Sequence, residues 1–193
     1  MPLDDDNYEQ YIDSSSVSVM PTAIRYGGIG ALILIALGLL LEVTGQAEPE
    51  AVAAGGGILN SLVLYGTIIG VVVLAIKTHR DTDLGGFISY GRSLGVGTLS
   101  ALIMGGIAAI WTYVQFAFIN PGKLDAIKEI TLENMAEQMG GEEEEALEMA
   151  QGWIETMFSP GAMAISTVFT VVFVGFIIAL IAGAILKKES RMA

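Results

Sequence analysis

The chain has 193 residues, of which 53% are hydrophobic and only 16% charged, with 24 glycines and a formal charge of −12. A soluble domain carries about 25% charged residues, so this composition points to membrane spans rather than to one soluble core. With no cysteine and one histidine, His79, disulfides, thiolate catalysis, Cys-ligated zinc, iron–sulfur clusters and a lipoprotein anchor are excluded, and no basic nucleic-acid footprint exists.

The predicted fold class is all-α: four transmembrane helices, read as two helical hairpins, with an extracytoplasmic amphipathic hairpin between spans three and four. Residues 1–22 are acidic and polar, the reverse of a basic signal-peptide region, and are expected to form a disordered cytoplasmic tail. Residues 23–120 hold spans one to three. Span one covers 24–43 and starts after Pro21; span two covers 58–76 and stops at Lys77-Thr78-His79-Arg80. Span three begins near Phe87 or Leu94 and reaches Phe118, ending at Asn120-Pro121.

Residues 121–161 read as two short amphipathic helices broken at Gly140-Gly141, either lying on the membrane surface or capping the bundle. In the second, Ala146, Met149, Ala150, Trp153, Ile154 and Met157 form one apolar stripe. The first has a looser stripe through Leu124, Ile127 and Ile130. Residues 162–193 hold span four and a basic tail. Ser159 is placed to cap that span, with Pro160 in its first turn, where a missing N–H costs nothing.

Basic residues set the expected orientation. Arg25, Lys77, Arg80, Arg92, Lys187, Lys188 and Arg191 fall on one side, and only Lys123 and Lys128 on the other. Both termini are therefore expected in the cytoplasm. Ile24-Arg25-Tyr26-Gly27 and Ile88-Ser89-Tyr90-Gly91 open spans one and three alike, as a duplicated hairpin would.

Three sets of residues are candidates for function. Small residues recur at four-residue spacing: Gly66 and Gly70; Gly97, Ala101 and Gly105; Gly175, Ala179 and Gly183. Such columns let helices approach closely, within the bundle or against another subunit. Polar residues gather toward the outer half of the membrane: Asn60, Thr67, Thr112, Gln115, Thr167 and Thr170. They either line a shallow cavity or bond between helices. Trp111 and Tyr113 suit an outer aromatic belt. The segment 121–161 holds ten carboxylates against two lysines; a solvated face explains it better than a site for divalent cations, since calcium-loop spacing is missing. His79 beside Arg80 belongs most simply to the basic cluster, without a partner for metal binding.

No ionisable residue lies in the middle of a span, so the coupling charge of an ion-driven transporter is lacking, as are catalytic clusters. No cofactor or metal is expected. The leading expectation is a non-enzymatic accessory or scaffold subunit, working through helix contacts in a homo-oligomer or with other membrane subunits, in contact with lipid. The alternatives are a small channel or transporter with an outer polar vestibule, or a sensor with an acidic outer segment.

The stretch Asp83-Leu84-Gly85-Gly86-Phe87-Ile88-Ser89-Tyr90-Gly91-Arg92 resembles a signature of the domain-of-unknown-function family 4199, bacterial membrane proteins common in Bacteroidota. The resemblance continues through Phe118-Ile119-Asn120-Pro121, Met157-Phe158-Ser159-Pro160-Gly161 and Lys187-Lys188, covering the chain from about Thr22 onward. It implies a four-span architecture in the inner membrane and carries over no functional residue. The acidic leader and the run Glu142 to Glu145 depart from the family pattern.

Overall fold

A computed structural model describes residues 16–50, 57–139 and 144–188, with backbone alone for 138–139 and 144–149. Four helices are long and apolar enough to cross a membrane: α1 Met20–Val43, α2 Ile58–Thr78, α3 Tyr90–Val114 and α6 Pro160–Leu186. At 1.5 Å rise per residue, even α2 spans about 31 Å, enough for a bilayer core. Between α3 and α6 lie α4 Pro121–Met139 and α5 Glu144–Met157. The described residues are nearly all helical and contain no strand, and the chain has the architecture of a multi-pass membrane protein.

The start of α1 and the end of α6 share one end of the bundle, here the near end; the end of α1, the start of α2 and α4 mark the far end. Half of the apolar window of α3 is buried, against 17% of that of α1, so α3 is the central helix. It packs most extensively against α6 and next against α1, while α2 touches all three. The shared core comprises Ala31, Ile68, Val72, Ile76, Ala101, Met104, Val171 and Ala179. The outward faces of α1 and α6 carry Leu32, Leu40, Ile165, Phe169 and Ile181, all exposed, as side chains facing lipid tails must be.

Helix ends follow from local chemistry. α1 ends in a Schellman motif: Gly45 takes φ +72°, the Gln46 N–H donates to Leu41 O at 2.8 Å, and the Gly45 N–H donates to Glu42 O at 3.1 Å. α6 starts where Ser159 accepts from the Ala162 N–H at 3.2 Å, with Pro160 in the first turn. Ser159→Ala is expected to cost about 1 kcal/mol, read as a drop of roughly 2–4 °C in unfolding temperature in detergent. α1 begins at Met20, four residues before the hydropathy of span one suggests, with Thr22 and Ala23 already buried.

Both α2 and α3 widen into one π turn at their C-terminal ends, His79–Asp83 and Gln115–Ile119. The Leu84 N–H reaches His79 O at 3.1 Å, and the Asn120 N–H reaches Gln115 O at 2.8 Å, each five residues back. Past the first, Gly85 (φ +65°) and Gly86 (φ +97°) turn the chain toward α3. Ile88 then pairs with Lys188 through two backbone hydrogen bonds of 2.9 and 3.0 Å. That bridge fastens the end of α6 to the start of α3.

In α4, Leu124 and Ile127 are buried. In α5, Ala150 and Ile154 turn inward, whereas Trp153 and Met157 of the same predicted stripe are exposed. The side chains of Ala146 and Met149, the break at Gly140-Gly141, Glu142, Glu143, Arg191 and the leader through residue 15 lie outside the described residues.

Candidate functional site

The first π turn sets residues four apart nearly above one another, and so stacks His79 over Asp83. Nδ1 of His79 lies 2.7 Å from Oδ2 of Asp83, and the Thr22 hydroxyl donates to the same oxygen at 2.6 Å. From α3, the Arg92 Nε–H donates to His79 Nε2 at 3.1 Å. A guanidinium has only donors, so Nε2 must be the accepting nitrogen and Nδ1 carries the proton given to Asp83. Arg92 also donates through Nη2 to the Val17 carbonyl. The node thus joins the chain before α1, α1 itself, the end of α2 and the start of α3. Beside it, Tyr26 and Thr78 share a 2.7 Å hydrogen bond, and a cavity of about 420 Å³ opens along Val17, Pro21, Thr22, Arg25, Tyr26 and Asp83.

His79 is therefore no exposed member of a basic cluster, as its place beside Arg80 suggests; it is fully buried. Its acidic partner stands four residues on, a spacing a helical reading could have flagged. Chemically the node is a closed relay. Both ring nitrogens are engaged and the Thr22 proton points at Asp83 rather than at the imidazole, so no free base faces a nucleophile. Among the described residues no group of three His, Asp or Glu is arranged to hold a metal.

The second π turn positions Gln115 at the far end, over a cavity of about 360 Å³ between the four long helices. Four of the six predicted polar residues line it: Asn60, Thr112, Gln115 and Thr167. Thr67 and Thr170 do not, although both are half-buried. Thr112 and Thr167 donate to Ala108 O and Met163 O in their own helices, leaving the two oxygens 3.4 Å apart. Two charged residues join this set. Glu42 accepts from Gln115 Nε2 at 2.8 Å and from Lys123 Nζ at 3.2 Å. Trp111 lines the cavity as well, whereas Tyr113 faces outward and meets Phe118 edge to face.

The small-residue columns separate by helix. A Cβ at Gly97 would stand 2.7 Å from Ala179 Cβ, one at Gly105 3.2 Å from Val171, and one at Gly183 3.2 Å from Ser93. One at Gly175 would overlap Ala101. Gly97, Ala101 and Gly105 thus form a single seam with Gly175, Ala179 and Gly183. Gly66 and Gly70 do not join it, since nothing lies within 4 Å of a Cβ at either. Two further close approaches escape a four-residue count: Gly27 against Ser100 and Ile103, and Gly30 against Val71 and Met104.

The family model for a protein of unknown function, DUF4199, matches residues 25–188, most of the chain. The chain belongs to the DUF4199 family. No curated protein and no solved structure matches it. The signature that first suggests DUF4199 runs from Asp83 to Arg92, the two charged partners of His79, and includes Ile88 of the backbone bridge. What reads in sequence as a loop motif is the fastening of the near end of the bundle.

Proposed function

We propose that this DUF4199 protein is a non-enzymatic accessory or scaffold subunit of the bacterial inner membrane, acting through helix contacts with copies of itself or with other membrane subunits. The observation that carries this reading is the contrast between the glycine columns. Those of α3 and α6 are consumed within the chain, while Gly66 and Gly70 on α2 lie open beside exposed Leu62, Tyr65 and Ile69. A face that lets a second helix approach is then left over. The far-end and near-end cavities are separated by the buried apolar layer of Ala31, Ile68, Val72 and Met104, which argues against a conducting path. The closed state of the His79 relay argues against acid–base catalysis.

An orientation with both ends cytoplasmic is supported by Arg25, Lys77, Arg80, Arg92, Lys187 and Lys188 gathering at the near end. Exposed Trp153 and Met157 on α5 suit contact with the headgroup region of the opposite leaflet.

The test is the native mass of protein extracted from its own membranes in mild detergent, with co-purifying chains identified. A defined assembly larger than the 20.3 kDa chain is expected, and Gly66→Leu together with Gly70→Leu should reduce it to the single chain without lowering its unfolding temperature. A monomer from the outset, or an assembly indifferent to both substitutions, counts against the reading.

A further inference from the structure

The far-end cavity has a polarity gradient set by the fold. Its deep walls are Leu34, Leu64 and Val171. One helical turn further in, Ala31 and Ile68 are buried in the core and close it. Its opposite end is a polar tier made by Glu42, Gln115 and Lys123. The cavity lies among helices long enough to cross a bilayer, so its deep part is at the level of lipid tails and its polar tier near the membrane boundary. Its volume of about 360 Å³ falls within the range of roughly 300–1,000 Å³ of small-molecule sites.

The hydrogen bonds within the tier leave donors unused. Both carboxylate oxygens of Glu42 are taken, one by Gln115 and one by Lys123. The Lys123 side chain is only 10% exposed, yet its ammonium meets one acceptor among the described residues, leaving protons to spare. Those protons are free for a ligand that enters the cavity Lys123 lines. Gln115 keeps a second N–H. Lys123 and Gln115 therefore present unused donors above an apolar shaft.

We propose that this cavity binds an acyl-chain amphiphile, with the chain in the shaft and its carboxylate or ester oxygens accepting from Lys123 and Gln115. A bare anion would leave the apolar shaft empty, and a cationic amphiphile would meet the like charge of Lys123. This site stands whether or not the protein assembles with others. Free fatty acid and the ester end of a membrane phospholipid share this chemistry and are the two possible sources.

The chain has two tryptophans. Trp153 is exposed, so Trp153→Phe leaves Trp111 as a reporter inside the cavity. Full-length protein in detergent is titrated with a fatty acid brominated along its chain. In a second arm, it is placed in bilayer discs containing brominated phospholipid. Saturable quenching of Trp111, reversed by unlabelled fatty acid, is expected if the free acid is the ligand. Quenching in discs that fatty acid does not displace identifies the phospholipid, and either result supports the site.

Gly38 lines the cavity, and a Cβ there meets nothing within 4 Å, so Gly38→Leu should block binding and leave the fold intact. Lys123→Met should weaken carboxylate binding about tenfold or more, and weaken binding of the corresponding methyl ester much less. Quenching that only rises in proportion to the brominated fraction, and is the same with and without Gly38→Leu, overturns the proposal.

Discussion

Gly175→Leu is expected to be the most damaging single substitution in the bundle, lowering the unfolding temperature in detergent by about 10 °C or preventing folding altogether. A Cβ at this position already overlaps that of Ala101, and Leu adds three further carbons to the same space. The α3–α6 interface is the most extensive in the chain and cannot part locally, because Gly97 against Ala179 and Gly183 against Ser93 are tight on either side. In lipid no hydrophobic force drives helices together, so van der Waals contact along such a seam is much of what holds it. Overpacking a core typically costs 1–3 kcal/mol; separating the whole seam should cost about 3 kcal/mol or more, a large part of an ordinary stability of roughly 5–15 kcal/mol.

Gly105→Leu, at the wider Val171 contact, should do less. A double-mutant cycle provides the stricter check: Gly175→Ala alone should destabilise, and adding Ala101→Gly should restore most of the loss. An unchanged unfolding temperature for Gly175→Leu would contradict the α3–α6 register described above.

How far the fold was legible varies with the physics of each element. The long helices were readable because a bilayer demands about twenty apolar residues each, and α6 also because Ser159 and Pro160 mark its start. Which face of each helix turns inward was not readable. With lipid outside as apolar as the core inside, a buried Ile68 and an exposed Ile69 look alike in sequence. Counting small residues every four positions finds the α3–α6 seam but also Gly66 and Gly70, where a Cβ would meet nothing within 4 Å among the described residues. It missed Gly27 and Gly30 of α1, which lie three apart and reach α3 more closely than Gly105 reaches α6.

The polar residues divide in the same way. Gln115, Thr112, Thr167 and Asn60 stand out in sequence as polar residues of one depth, which leaves a cavity and bonds between helices equally open, and the structure places them along one cavity. Glu42 and Lys123, 81 residues apart in sequence, complete it because α4 folds back over the bundle end. The His79 node was hidden for a related reason. Thr22 stands 57 residues away in sequence and Arg92 stands 13 away, so of the three partners only Asp83, four residues on, is legible from spacing.

Asp83→Ala is expected to release the near end of that bundle. It removes the one acceptor shared by the Thr22 hydroxyl and the His79 Nδ1–H, both on buried residues. The imidazole cannot adjust by moving its proton, because the Arg92 Nε–H still requires Nε2 as its acceptor. The proton on Nδ1 would face a space left by the carboxylate. Hydrogen bonds to charged groups contribute about 1.5–3 kcal/mol each, but the Asp83 side chain is 30% exposed and water would replace part of what is lost. A net cost of about 2–3 kcal/mol follows, or roughly 5–10 °C in unfolding temperature for a chain of this length. Asp81 supplies the control. It pairs with Arg80 within the same π turn but is 42% exposed, and Asp81→Ala should leave the unfolding temperature unchanged. Asp83→Asn should fall between the two, keeping an oxygen for Thr22 and His79 while losing the charge that balances Arg92. If Asp83→Ala proved no more harmful than Asp81→Ala, the relay would not be what ties α1, α2 and α3 together, and the backbone bridge between Ile88 and Lys188 would be left as the principal fastening of the near end.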